Sequence, residues 1–279
     1  MLSIVAGDGS MGRAVAAALA GRGTPATAVL SEPQVAPAGA GAPAGGSAGH
    51  VPSRFAGADV LFEFSVGSAV LPNVTTALEG GVRSFVIGTT DWAADRPAVE
   101  VALTRAGASA VTAASFSLGA NLFARLVEEA ARLFGPFPEF DPYLLEWHRR
   151  TKEDRPSGTA VELSRRLISA HPHKTRLAQA MTHGAPALDE LDVAVIRAGS
   201  APGMHLVGFD APGESFEMRL TARDRSAYAA GALTAADWLA AEPRTPGIHT
   251  FDEVVDSIVA ARTPAPVVEG RPPIIASYH

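Results

Sequence analysis

Leu2-Ser3-Ile4-Val5-Ala6-Gly7-Asp8-Gly9-Ser10-Met11-Gly12 opens the chain with an apolar run and a glycine turn. Residues 2–6 read as a buried β-strand, and residues 11–22 carry Ala and Leu at helical spacing. Between them Gly7, Gly9 and Gly12 fit G-x-G-x-x-G in the strand–turn–helix setting that the pattern requires. The first glycine permits the tight turn, the second lets the backbone approach a pyrophosphate, and the third lets the helix pack on the strand. The helix N-terminus behind the turn attracts phosphate charge. This spacing predicts a dinucleotide site at Gly7, Gly9, Ser10, Met11 and Gly12. Glu32 stands 20 residues beyond Gly12, at the end of a second predicted strand over residues 26–30. An acid there bonds the ribose 2′-hydroxyl and favours NADH. The alternative for Glu32 is a plain loop carboxylate. No Arg follows it directly to hold a 2′-phosphate, because the next residue is Pro33.

The alternation continues. Strands are predicted over 60–64, 84–88 and 110–114, and helices over 68–80 and 97–106. Strands and helices alternating at this spacing make a parallel α/β sheet with right-handed crossovers. Residues 33–53, dominated by Ala, Gly and Pro, read as a mobile surface loop. The order breaks near Asn121. A helix over 122–133 follows, then strands over 143–147, 191–197, 205–211 and 215–222 that read as antiparallel. A helix over 227–240 resembles a return path to the first domain. The expected fold is α/β: a Rossmann-like nucleotide-binding domain of residues 1–121 plus 240–279, with an inserted α+β domain of residues 122–239.

Composition narrows the function. The 279 residues carry a net charge of -6 and no basic block, which excludes a nucleic-acid binder. With no cysteine, disulfides, thiolate chemistry and Cys-ligated zinc are excluded. No apolar run approaches the ~20 residues that span a bilayer. The first residues lead straight into the nucleotide turn with no signal peptide. A soluble cytoplasmic enzyme without a membrane partner is the expectation.

Chemistry concentrates in Glu146-Trp147-His148-Arg149-Arg150-Thr151-Lys152-Glu153-Asp154-Arg155-Pro156-Ser157-Gly158-Thr159-Ala160. An imidazole and an ammonium lie four residues apart, and a Ser-Gly-Thr turn leads into a helical segment. Such a group binds a small carboxylate and moves a proton to it. Alone, His148 beside Trp147 would be structural and Lys152 a surface lysine. Ser157-Gly158-Thr159 would cap the next helix, and capping and anion binding use the same N–H groups. Asp154 is expected to orient the loop. Arg149, Arg150, Lys152 and Arg155 also read as a solvated basic face. His171, His173, His183, His205, His249 and His279 show no metal-ligand pairing in sequence, and His50 lies in the low-complexity loop, so no metal is expected.

These motifs resemble the dihydrodipicolinate reductase family over residues 4 to about 239. Glu146 to Ala160 is similar to its E-x-H-H-x-x-K-x-D-A-P-S-G-T-A. Val86-Ile87-Gly88-Thr89-Thr90 is similar to V-I-G-T-T, Glu63-Phe64-Ser65 to D-F-T, and Ser115-Phe116-Ser117 to part of A-N-F-S-x-G. Arg197-Ala198-Gly199 and Gly203-Met204-His205 resemble R-x-G and G-E-H. The resemblance implies an NADH- or NADPH-dependent reductase of a small dicarboxylate in lysine and diaminopimelate synthesis, assembled as a homotetramer through an open sheet. It places Phe64, Gly88, Thr90, Ser115 and Phe116 at the coenzyme. His148 would be the acid/base and Lys152 the proton donor, with Ser157, Gly158 and Thr159 holding a carboxylate. The chain departs from the pattern at Arg149 (for His), Arg155 (for Ala), Glu63 (for Asp), Ser115 (for Asn), Met204 (for an acid) and Leu220 (for a common His). Arg149 keeps a cation that can bind a carboxylate bidentately but cannot titrate near neutral pH. Two alternatives stay open: a paralogue reducing another cyclic imine or imino acid, and a nucleotide-binding protein without catalysis. The intact His148–Lys152 pair argues against the second.

Overall fold

The computed structural model describes residues 1–30, 52–178 and 184–263. Glu32, His50, His183, His279 and nearly all of the predicted 33–53 loop lie outside them. The chain runs β1 (Ser3–Ala6), α1 (Ser10–Gly21), β2 (Ala28–Leu30), β3 (Val60–Glu63), α2 (Val70–Glu79), β4 (Ser84–Ile87), α3 (Arg96–Ala106) and β5 (Ser109–Thr112). It continues through α4 (Leu118–Phe134), β6 (Asp141–His148), α5 (Gly158–Ala170), β7 (Arg176–Leu177), β8 (Glu190–Arg197), β9 (Met204–Ala211) and β10 (Glu214–Thr221). It closes with α6 (Ser226–Ala241), β11 (Gly247–Thr250) and α7 (Phe251–Arg262).

The first sheet has the order β11-β5-β4-β3-β1-β2, with every pairing parallel. A parallel sheet is covered on both faces, so its strands are apolar throughout. Strand periodicity sorts them. Val5, Phe62, Val86 and Val111 pack beneath α1, α6 and α7, while Ile4, Leu61, Phe85 and Ala110 pack beneath α2 and α3. This bears out the Rossmann-like reading.

The second sheet has the order β10-β9-β6-β8-β7. The expectation of antiparallel strands holds for β9 with β6 and β10, but β6 and β8 run parallel. Helix α5 carries the chain from β6 across to β7, and β7 pairs with β8 in the same direction, so the three strands run parallel. Helices α4 and α5 cover one face through Phe123, Val127, Leu163 and Leu167 against Leu144, Leu191 and Val207. On the opposite face Trp147 and Ile196 are exposed.

Residues 226–239, expected within the inserted domain, pack instead with the first sheet. Ala229, Ala232, Leu233 and Ala236 of α6 are buried in the same core as Val5 and Val15. The approach is close: a Cβ on Gly231 would stand 1.7 Å from the carbonyl oxygen of Phe116. Strand β11 and helix α7, unforeseen as elements, complete this layer, and a Thr250–Glu253 capping box starts α7. Ion pairs tie the second unit back to α7. Arg125 of α4 reaches Asp256 at 2.6 Å, and Arg166 of α5 reaches Asp252 at 2.5 Å.

Glu63, at the end of β3, is fully buried. It accepts hydrogen bonds from Ser65 N at 3.0 Å, Asn73 Nδ2 at 2.9 Å, Thr89 Oγ1 at 3.2 Å and the Ser65 hydroxyl. Burial nevertheless pushes its carboxyl from 4.5 up to about 7, against those bonds. A carboxyl with a raised native pKa contributes stability below pH 4.5 that is lost as pH rises through 7. Glu63→Gln keeps the shape and removes the charge. It should therefore be more stable than the parent at pH 8–9 by about 1–3 kcal/mol, with little difference at pH 5. Urea midpoints at the two pH values measure this, and equal midpoints at high pH would refute the buried-charge penalty.

Candidate active site

Strand alternation places Leu144, Glu146 and His148 on the α5 side of β6, and Tyr143, Leu145 and Trp147 on the other. Leu144 joins the core, while Glu146 and His148 reach the strand's C-terminal end beside the start of α5. Register supplies the rest. His205 of β9 lies directly opposite Glu146, and Arg197 of β8 directly opposite His148. Three strands far apart in sequence thus bring one carboxylate, one guanidinium and two imidazoles together.

Glu146 is completely buried. Its Oε1 accepts from Arg197 Nη2 at 2.7 Å and from Ser157 N at 3.0 Å. Its Oε2 lies 3.6 Å from Nε2 of both His148 and His205. Burial alone would raise this carboxyl, but the bonds from His205, Ser157 and Arg197 outweigh it and hold the pKa at about 2. Ser157 also caps α5, its hydroxyl accepting from Ala160 N at 3.2 Å, and meets His205 Nε2 at the same distance. The capping reading of this turn is therefore realised.

His148 is nine-tenths buried, and neither ring nitrogen has a hydrogen-bond partner. Burial first, and then His205, lowers its pKa from 6.5 to about 4, so the imidazole is neutral at pH 7. Gly203, at φ 152°, presses on it: a Cβ there would stand 2.8 Å from His148 Cε1. Lys152 pairs with Asp154 at 2.7 Å, consistent with the orienting part expected of that aspartate. Arg149 is exposed. The loop between β6 and α5 is strapped to β8 by Arg155 Nη2 donating to Val195 O at 3.1 Å and by Arg150 N donating to Gly199 O at 3.1 Å.

A cavity of about 270 Å³ separates the two sheets, lined by Arg96, Ser115, Asn121, Gly158, Thr159 and Arg166 among others. Its lining includes neither His148 nor Lys152. A neighbouring cavity of about 300 Å³ takes in Thr89, Thr90, Asp91 and Trp92 and shares Arg96 with the first. Gly88 sits against the Phe64 ring, 2.1 Å from where a Cβ would go. Phe64, Phe116 and Tyr228 pack edge to face with centroids 5.6–6.3 Å apart.

The glycine turn follows β1 on the same C-terminal edge of the first sheet, where a Cβ on Gly7 would stand 2.2 Å from the Phe64 carbonyl oxygen. Gly7 has φ 97°, and a Cβ on Gly12 would strike the Gly7 carbonyl oxygen at 1.8 Å. A Cβ on Gly9 would meet nothing within 4 Å, and α1 has no side-chain cap. An open backbone at an uncapped helix N-terminus fits a pyrophosphate. Glu146, His148 and His205 have potential metal-ligating atoms within 4.8 Å of one another, a juxtaposition invisible in sequence spacing. The carboxylate's charge is already balanced by Arg197, and the Ser157 N–H donates to both of its oxygens.

Sequence reading assigned no part to Glu146, Arg197 or His205. The signal was there, since all three lie in stretches that resemble family motifs, and His148 and Glu146 share one strand face by their spacing of two.

A glycine turn at an uncapped helix N-terminus, in a chain whose second sheet carries a buried imidazole and a capped Ser-Gly-Thr turn, is the equipment of a dinucleotide-dependent oxidoreductase. Comparison with known proteins narrows the class. Residues 119–255 match the family model of the dihydrodipicolinate reductase C-terminus. A 4-hydroxy-tetrahydrodipicolinate reductase of Rhodopseudomonas palustris is 35% identical over 270 residues, which cover 91% of this chain and 97% of that protein. One from Methanococcoides burtonii is 32% identical over 200 residues, 71% of this chain and 73% of that protein. The dipicolinate-bound dihydrodipicolinate reductase of Paenisporosarcina sp. TG-14 shares the fold, with a TM-score of 0.66 at 17% identity, over 90% of this chain and 97% of that one. The chain belongs to the 4-hydroxy-tetrahydrodipicolinate reductase family.

A proton NMR titration should place the His148 midpoint near 4. Native stability should fall as pH drops from 6.5 through that value, because the unfolded imidazole takes up its proton first. A midpoint at 6 or above would mean that the ring is solvated.

Proposed function

We propose that this chain reduces 4-hydroxy-tetrahydrodipicolinate to tetrahydrodipicolinate in lysine and diaminopimelate synthesis, using NADH or NADPH. The observation that carries the reading is the union of a neutral, buried His148 with the Ser157 turn on one carboxylate, in a chain with a complete dinucleotide turn. The glycine turn and α1 would hold the pyrophosphate, with Phe64, Gly88, Thr90, Ser115 and Phe116 around the nicotinamide end. The bound nicotinamide supplies the hydride. Gly158 and Thr159, on the wall of the cavity between the sheets, would anchor a substrate carboxylate together with Ser157 and Arg149. A charge-assisted bond of this kind contributes about 1.5–3 kcal/mol. The Lys152 ammonium would donate to the substrate the proton that accompanies the hydride, and His148, uncharged at pH 7, would orient that transfer. Arg149 in place of the usual His gives the anchor a permanent charge and no proton to exchange.

The face of the second sheet that α4 and α5 leave open supports a homotetramer, with Trp147 and Ile196 among its apolar side chains. Among the described residues no helix is long and apolar enough to cross a membrane.

Pyruvate and aspartate semialdehyde, condensed by the upstream synthase, should drive rapid oxidation of a reduced nicotinamide coenzyme. Lys152→Ala should lower kcat by roughly 10²–10⁴ while the coenzyme Kd stays within about threefold. Coenzyme binding without turnover in the parent protein would point to another cyclic imine as substrate. Glu32→Ala should weaken NADH more than NADPH, and an equal effect on both would remove Glu32 from the coenzyme site.

A further inference from the structure

We infer that Glu146 is a positioning residue of this site, one carboxylate that sets the places of His148, His205 and the Ser157 N–H together. The inference rests on the reduction proposed above and adds to it a residue that touches neither substrate nor coenzyme.

The argument is geometric. Glu146 is anchored by Arg197 Nη2 on Oε1 at 2.7 Å and by the Ser157 N–H, which donates to Oε1 at 3.0 Å and to Oε2 at 3.2 Å, while Oε2 also faces both imidazoles at 3.6 Å. The two rings stand 5.3 Å apart, edge to face, with the carboxylate between their Nε2 atoms. His148 has no other polar partner for either nitrogen. Its position is therefore set by packing against Gly203 and by the field of this carboxylate. Ser157 is held twice by the same group, through its own N–H and through its contact with His205. Proton handling and carboxylate anchoring thus share one fixed point.

The charges agree. The groups facing His148 are Glu146 on its own strand, Arg197 from β8, His205 from β9 and Lys152 from the loop that follows. Of these only Glu146 favours a proton on the ring. As His148 orients the proton transfer, the carboxylate at 3.6 Å stabilises positive charge that develops on the ring, without moving. Simple neutralisation of Arg197 would not need a carboxylate oxygen aimed at two imidazoles.

Two full-length variants test this. Glu146→Gln combined with Arg197→Met removes both charges and leaves no uncompensated ion. It should melt within a few degrees of the parent and bind coenzyme normally. Its kcat should be lower by on the order of tenfold to hundredfold, and the acidic limb of its pH–rate profile should move to lower pH. Glu146→Asp keeps the charge for Arg197 but draws the oxygens back by one methylene. It serves where the double variant does not fold, and it should lose kcat with coenzyme affinity intact. Parent-like kcat and an unmoved acidic limb in the folded double variant, or parent-like kcat in Glu146→Asp, would overturn the inference and leave Glu146 as a counter-ion. If the parent itself does not turn over this substrate, the proposed reaction fails and the inference is read from His148 alone. A His148 titration midpoint below the parent's in the double variant then supports it, and an unchanged midpoint overturns it.

Discussion

The structure of the second unit turns on burying one carboxylate. Glu146 is wholly out of solvent and Arg197 nearly so, at 0% and 5% side-chain exposure. Buried charges are tolerated only when paired and hydrogen-bonded. The pair forms because β8 runs parallel to β6, which requires a crossover, and the crossing helix α5 begins at a serine bonded to Glu146. Sheet direction, crossover and helix start are therefore mutually dependent. Exchanging any one of them would strand a charge.

The first sheet obeys a different constraint. Its contacts are apolar and steric, with main chain approaching main chain at Gly12 and Gly231 and aromatic edges closing over Gly88. Helix α6 belongs to this layer although its sequence follows the inserted strands. Its Ala-rich turns bury against both α1 and the sheet, and the small side chains permit that approach.

Local features were legible in the sequence. The glycine turn, the strand alternation and the Ser-Gly-Thr cap each depend on residues within a few positions of one another. The Thr250–Glu253 box was equally local and marks the start of an unforeseen helix. Contacts set by register were not legible. Glu146 and Arg197 are 51 residues apart, and their meeting depends on which strands pair and in which direction. The antiparallel expectation failed at β6 and β8 for the same reason, since alternation reports a face and carries no direction. His148 was read as a proton carrier from its neighbours in sequence, yet its depressed pKa comes from burial and from His205, neither of which spacing reveals.

Gly12 and Gly231 set one rule for how such a chain can diverge, and the Glu146–Arg197 pair sets another. At the glycines any added carbon collides with backbone, so each position is closed to substitution by itself. At the ion pair either single replacement leaves a buried charge, whereas a matched double replacement restores neutrality. These glycines are thus frozen one by one, while the buried ion pair is free to drift only in coupled steps.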